Sequence, residues 1–139
     1  MSGWIGVDFD GTLATYAGWV DANNCGEPIA PMVDRVKGWL AEGKEVRIFT
    51  ARVWPHTQPV TDQNLKQTLI ALRLIASQAP IGNIRFLSAA ESIEAIREWC
   101  RKHIGQTLPI TCVKDYGMVQ LWDDRAVQVR PNTGQVVGE

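Results

Sequence analysis

Trp4 to Phe9 is an almost unbroken apolar run, WIGVDF, that leads straight into Asp10-Gly11-Thr12. Such a run, without polar alternation, predicts a central strand covered on both faces, which is the habit of parallel sheets flanked by helices. Gly11 to Pro28 is rich in glycine, proline and asparagine and reads as a loop. From Pro31, a residue suited to the first helical position, Val33, Val36 and Leu40 share one face with Met32 and Trp39 alongside, and Gly43 supplies the stop. Glu45 to Phe49, EVRIF, reads as the next strand. Strand, helix, strand in that order predicts a parallel, right-handed crossover.

After Thr50 a loop precedes a second helix over Asp62 to Gln78, with Leu65, Leu69 and Leu72 at helical intervals behind Thr61 as cap. Asn83 to Leu87 reads as a short strand. Ser88-Ala-Ala-Glu91 has the form of a capping box opening a third helix with Ile93, Ile96, Cys100 and Ile104 inward, and Gly105 ends it. Ile110 to Val113 and Val119 to Trp122 are apolar and extended. Too few residues separate them for a parallel crossover, which needs roughly a dozen, so they are not adjacent parallel partners. Val119 to Trp122 is therefore assigned to the sheet, Ile110 to Lys114 to its rim, and Asn83 to Leu87 to the third parallel strand. Ala126 to Arg130, the turn Pro-Asn-Thr-Gly and Gln135 to Val137 predict a small C-terminal hairpin. The fold expected is α/β, a Rossmann-like three-layer sandwich with a mainly parallel central sheet, as one domain over residues 1–139.

The length of 139 residues supports one core, and 45% hydrophobic with 21% charged residues is ordinary globular usage. No apolar stretch is long enough to span a bilayer, and no secretory leader is recognisable, so a cytoplasmic protein without membrane contact is expected. A net charge of -1 gives no global drive toward nucleic acid, although a local basic patch stays open. Cys25, Cys100 and Cys112 lack CxxC spacing, and His56 and His103 have no ligand partners in sequence, which argues against disulfides and zinc.

Polar chemistry gathers at strand ends. The first strand ends in Asp8-Phe9-Asp10-Gly11-Thr12, the second in Thr50, and Val119 to Trp122 in Asp123-Asp124. In a parallel sheet these ends form the binding crevice. Carboxylates held together there need a cation, and an all-oxygen set selects a hard metal, Mg²⁺ above all, which keeps waters free for substrate phosphate. A carboxylate beside Mg²⁺ is able to attack phosphorus while a second moves protons, and Lys114 is the lysine best placed to neutralise phosphoryl oxygens.

These segments resemble the haloacid dehalogenase-like superfamily of phosphotransferases. VDFDGTL at Val7 to Leu13 is similar to its first motif, IFT at Ile48 to Thr50 to its second, Lys114 to its third, and LWDD at Leu121 to Asp124 to its fourth. The resemblance implies Asp8 as nucleophile, Asp10 as general acid/base and metal ligand through its backbone carbonyl, and Asp123 as metal ligand with Asp124 in support. It implies that Thr50 and Lys114 hold the phosphate. Ala51-Arg52 stands where the family often has a small residue followed by glycine or asparagine. The gaps between motifs are too short for a full cap domain, so a capless, open site is expected. WDDR followed by AVQV is similar to the phosphatase half of polynucleotide kinase-phosphatases and to small phage-encoded phosphatases.

Thr12 and Arg52 are further candidate substrate contacts, with Arg52 and Arg125 reading equally as phosphate or salt-bridge partners. Trp19, Trp54 and His56 fall in rim loops, where they either stack on a ring or pack. The activity expected is Mg²⁺-dependent hydrolysis of an accessible phosphate monoester, small or at a nucleic-acid end. The alternatives are a polynucleotide 3′-phosphatase and a catalytically silent binding protein of this fold.

Overall fold

The computed structural model describes residues 3–78 and 84–138. The elements follow as β1 (Trp4–Asp8), α1 (Ala30–Ala41), β2 (Glu45–Phe49), a 3₁₀ turn (Ala51–Val53), α2 (Leu65–Ser77), α3 (Ile84–His103), β3 (Ile110–Thr111) and β4 (Met118–Trp122). The four strands form one sheet in the order β3-β2-β1-β4, parallel throughout. The α/β class and the parallel sheet expected from the sequence are both present.

β1 is central because its Ile5 and Val7 are buried together with Val46 and Ile48 of β2. These side chains share one face of the sheet, and the buried cluster joins them to Val33 and Val36 of α1, Leu69 and Leu72 of α2, and Ile93 and Ile96 of α3. The edge contact of Phe9 with Trp99 at 5.0 Å and the tilted contact of Trp39 with Trp122 at 5.2 Å fasten α3 and α1 to that same face. Two right-handed crossovers that advance in one direction, β1 to β2 to β3, leave their helices on one side. The described residues therefore build a helical layer on a single face, where the three-layer expectation has helices on both.

The opposite face is covered differently. Trp4 is 2% exposed but lies outside the main cluster. Its indole N–H donates to Asp115 at 2.8 Å, and the Arg47 guanidinium lies 4.5 Å from its ring centroid. The segment 112–117, which carries Asp115, thus crosses the sheet on this face between β3 and β4, which occupy opposite edges. The two segments are not adjacent, as their short separation requires.

Two local assignments change. Ile84 to Leu87 is the first turn of α3, not a strand, and Ser88 lies inside that helix instead of capping it; Asn83 is outside the described residues. Phe86, Ala90 and Ile93 continue the helical spacing, and the place reserved for this strand is already filled. Ile110 forms β3 beside β2, and Val60 pairs with it on the other side through reciprocal backbone bonds of 2.8 and 3.0 Å. The segment read as rim is therefore the third strand. α1 begins at Ala30 with Pro31 in its first turn, and Gly43 at φ +79° turns the chain after it. α2 begins at Leu65, because Thr61 and Asn64 exchange side-chain to backbone bonds one turn earlier. The C-terminal hairpin is reduced to a bridge between Val129 and Val136. None of the described helices is long and apolar enough to cross a membrane.

Candidate active site

The carboxyl ends of β1 and β4 meet where the strand order reverses direction from β1, the position at which parallel sheets open a crevice. Pairing of Val7 with Trp122 brings Asp123 level with Asp8. Asp8, Asp123 and Asp124 each offer a carboxylate oxygen within 4.8 Å of the others'. Beyond Asp8 the chain turns tightly, with the N–H groups of Leu13 and Ala14 donating to the Phe9 carbonyl at 3.0 and 2.9 Å. Gly11 at φ +87° sits inside this turn, and a Cβ there would lie 2.6 Å from Asp124 Oδ2, so glycine is needed for both the conformation and the approach.

Thr12 holds Asp124 in place. Its hydroxyl donates to Asp124 Oδ1 at 3.1 Å and accepts the Asp124 N–H at 3.0 Å. The structure thus gives Thr12 to the carboxylate cluster, and it does not line the cavity in front of Asp8. Asp123 Oδ1 accepts the Arg125 N–H at 2.7 Å, which fixes the turn after β4.

Charge is crowded here. Burial, the hydrogen bond with Asp124, and the charges of Asp123 and Asp124 together raise the Asp8 carboxyl to about 7. Burial works to raise Asp124 as well, but hydrogen bonds from Asp8 and Thr12 outweigh it and hold this carboxyl below its ordinary range. The pair behaves as two acids sharing a proton. A cation would replace that proton, and the all-oxygen donor set fits a hard divalent ion. The thiol of Cys100 is pushed up to about 12, chiefly by burial, and is no nucleophile.

Asp10 points to a different partner. Its two oxygens accept Arg52 Nε at 2.7 Å and Nη2 at 2.9 Å. The Arg52 side chain is only 6% exposed. It is held further by the Asn24 carbonyl at 2.8 Å and by the faces of Phe9 and Trp19, while its Nη1 is buried without a partner. Arg52, left open between phosphate contact and salt bridge, is a salt-bridge partner of Asp10 with one unmet donor. Thr50 is buried and its hydroxyl oxygen accepts the Arg52 N–H at 3.2 Å, which leaves the hydroxyl proton free for an acceptor in the cavity.

A cavity of about 490 Å³ opens over these groups. Asp8, Asp10, Thr50, Arg52, Asp123 and Asp124 all line it. Lys114 does not: it is exposed on the segment that crosses the sheet face carrying Trp4. His56 is also absent from the wall. Arg85 and Ser88 are lining residues that the sequence reading missed, because it assigned their segment to a strand and a cap. Their spacing of one helical turn would have grouped them had the helix been extended backward. No family model, no curated protein and no solved structure matches the chain.

Proposed function

We propose that the chain is a Mg²⁺-dependent phosphomonoester hydrolase that works through an aspartyl-phosphate on Asp8, an open-sited, capless relative of the haloacid dehalogenase-like phosphatases. The observation that carries this reading is the convergence of Asp8, Asp123 and Asp124 within 4.8 Å at the carboxyl end of the central strand. Asp8, Asp123 and the Asp10 carbonyl would hold the metal, with Asp124 in support. When bound, Mg²⁺ supplies charge neutralisation for the carboxylates and for the substrate phosphate.

The residues divide the chemistry as follows. An Asp8 oxygen forms the new bond to phosphorus as the ester P–O bond breaks, and the leaving oxygen takes a proton that Asp10 carries in the substrate complex, on an oxygen lone pair that the Arg52 fork leaves free. Water then attacks the phosphoryl group on Asp8, gives its proton to Asp10 and regenerates the carboxylate. Arg52 fixes the orientation of Asp10, and the Thr50 hydroxyl donates toward phosphate oxygens.

The test is turnover of p-nitrophenyl phosphate and a panel of natural phosphate monoesters with and without Mg²⁺. Hydrolysis that requires Mg²⁺ and disappears with chelator supports the proposal. Full activity in excess EDTA overturns the metal role, and no hydrolysis of any ester leaves the binding-protein alternative.

A further inference from the structure

The wall of the cavity away from the carboxylates is aromatic and cationic. Trp19 and Trp54 line it and are 54% and 51% exposed, although large indoles gain most by burial. Each has a guanidinium against its ring, Arg52 at 5.0 Å from Trp19 and Arg85 at 5.1 Å from Trp54. A cation over one face holds an indole in place and leaves its remaining surface open toward solvent. Arg85 and Arg125 also line the cavity, and neither makes a salt bridge among the described residues.

Fixed, half-open indoles beside the guanidinia of Arg85 and Arg125, which have no carboxylate partner among the described residues, suit a ligand that carries a flat ring and an anionic charge beyond the phosphate being removed. A simple sugar phosphate has neither. A nucleoside phosphate offers the ring, and a nucleic-acid end offers the ring and further phosphates. The overall charge of -1 does not oppose this, since the cations needed are local to the cavity.

From this wall we propose that the substrate is a phosphate ester whose leaving group bears a nucleobase, with the base stacked on the open surface of Trp19 or Trp54 and Arg85 and Arg125 facing any additional phosphate. The proposal rests on the phosphatase reading for the reacting end of the site, where Asp8 takes the phosphoryl group and the nucleoside hydroxyl leaves with the Asp10 proton.

Two measurements test it on the full chain. In the first, kcat and KM are determined with Mg²⁺ for ribose 5-phosphate, a 5′-mononucleotide, a 3′-mononucleotide and a 3′-phosphorylated tetranucleotide. At least one base-bearing ester is expected to exceed ribose 5-phosphate in kcat/KM by tenfold or more. Trp19→Ala or Trp54→Ala is expected to raise its KM at least fivefold more than that of ribose 5-phosphate, with partial rescue by Trp→Phe. Preference for the tetranucleotide assigns the site to nucleic-acid ends, and preference for a mononucleotide assigns it to free nucleotides. In the second, tryptophan fluorescence of Asp8→Asn with Mg²⁺ is titrated with the same compounds, and quenching is expected only with the base-bearing ones. Equal turnover of ribose 5-phosphate, or indole variants that affect all esters alike, overturns the base subsite and leaves the hydrolase intact. Absence of turnover on every ester overturns the hydrolase instead, and the fluorescence titration then decides the base subsite without catalysis.

Discussion

Arg52 grips Asp10 through two parallel hydrogen bonds, Nε to Oδ2 at 2.7 Å and Nη2 to Oδ1 at 2.9 Å, a fork that fixes the plane of the carboxylate as well as its position. Removing one member of a pair this buried leaves the other charge uncompensated. Arg52→Ala is therefore expected to lower stability by about 3 kcal/mol, the low end of the range for broken buried pairs, because Asp10 keeps some solvent contact. Arg52→Lys keeps the charge and loses the fork, so it should recover more stability than activity. Urea unfolding and kcat measured on both variants check this, and an Ala variant as stable as wild type would show that the pair contributes nothing.

Asp8 and Asp10 should fail in different ways when each is replaced by asparagine. Asp8→Asn removes the atom that bonds to phosphorus and is expected to leave essentially no turnover. Asp10→Asn removes a proton carrier, a loss of roughly 10²–10⁴ in rate. It preserves the backbone carbonyl assigned to the metal, so Mg²⁺ affinity by calorimetry should stay near wild type, in contrast to Asp123→Ala. Mass spectrometry of acid-quenched Asp10→Asn should show one added phosphoryl group at Asp8; a label on serine, threonine or histidine would overturn the mechanism.

The crowding at Asp8 makes stability depend on pH in a definite direction. Its carboxyl is raised from 3.8 to about 7, first by burial and then by Asp124 and Asp123. Between those values the folded chain keeps a proton that the unfolded chain has released, so stability falls as pH rises from about 4 to about 7 and levels off above. Asp62, Asp115 and Asp124 are shifted down, and the stability they contribute is lost only on the acid side of that window. Thermal melting of metal-free protein should therefore drop between about pH 4 and pH 7, and Mg²⁺ should raise the midpoint more at the higher pH. Asp8→Asn should remove this fall and uncover the opposite, rising contribution of His56, whose imidazole burial holds below its ordinary range. A metal-free midpoint that climbs across this window would contradict the account.

The strands that deliver the site were legible because β1 is an apolar run ending in polar residues and β4 leads straight into Asp123-Asp124, and the register of β1 against β4 brings Asp8 and Asp123 level. What was not legible came from long-range pairing. Ile110 becomes a strand because β2 and Val60 supply partners on both sides, and neither is visible from a two-residue strand's own sequence. Ile84 to Leu87 is equally apolar but finds no such edge and joins the helix, which moves Arg85 and Ser88 to the cavity. Arg52 could be named from position, but its choice of Asp10 over phosphate depends on how the loop carrying Asn24 folds over it.

Lys114 separates motif order from geometry most sharply. In sequence it precedes Asp123 at a suitable place for a phosphate-binding lysine, yet residues 112–117 leave the carboxyl end of β3 and run back toward the amino end of β4, away from the site. They cross the sheet face where Asp115 meets Trp4 and Arg47, and Lys114 stays exposed outside the cavity. The cations that do line the cavity are Arg52, Arg85 and Arg125, and the last follows directly on the carboxylates of β4. Lys114→Ala is accordingly expected to change kcat/KM by no more than about twofold, the scale of an exposed lysine with no fixed partner, whereas Arg125→Ala should raise KM by roughly tenfold through loss of a charge-assisted phosphate contact. Steady-state kinetics on an ester that carries a second phosphate, such as the 3′-phosphorylated tetranucleotide, decide between them. A loss of roughly 10² or more for the lysine variant, the size expected when a donor to the developing charge is removed, would return Lys114 to the site and require the segment 112–117 to rearrange when substrate binds.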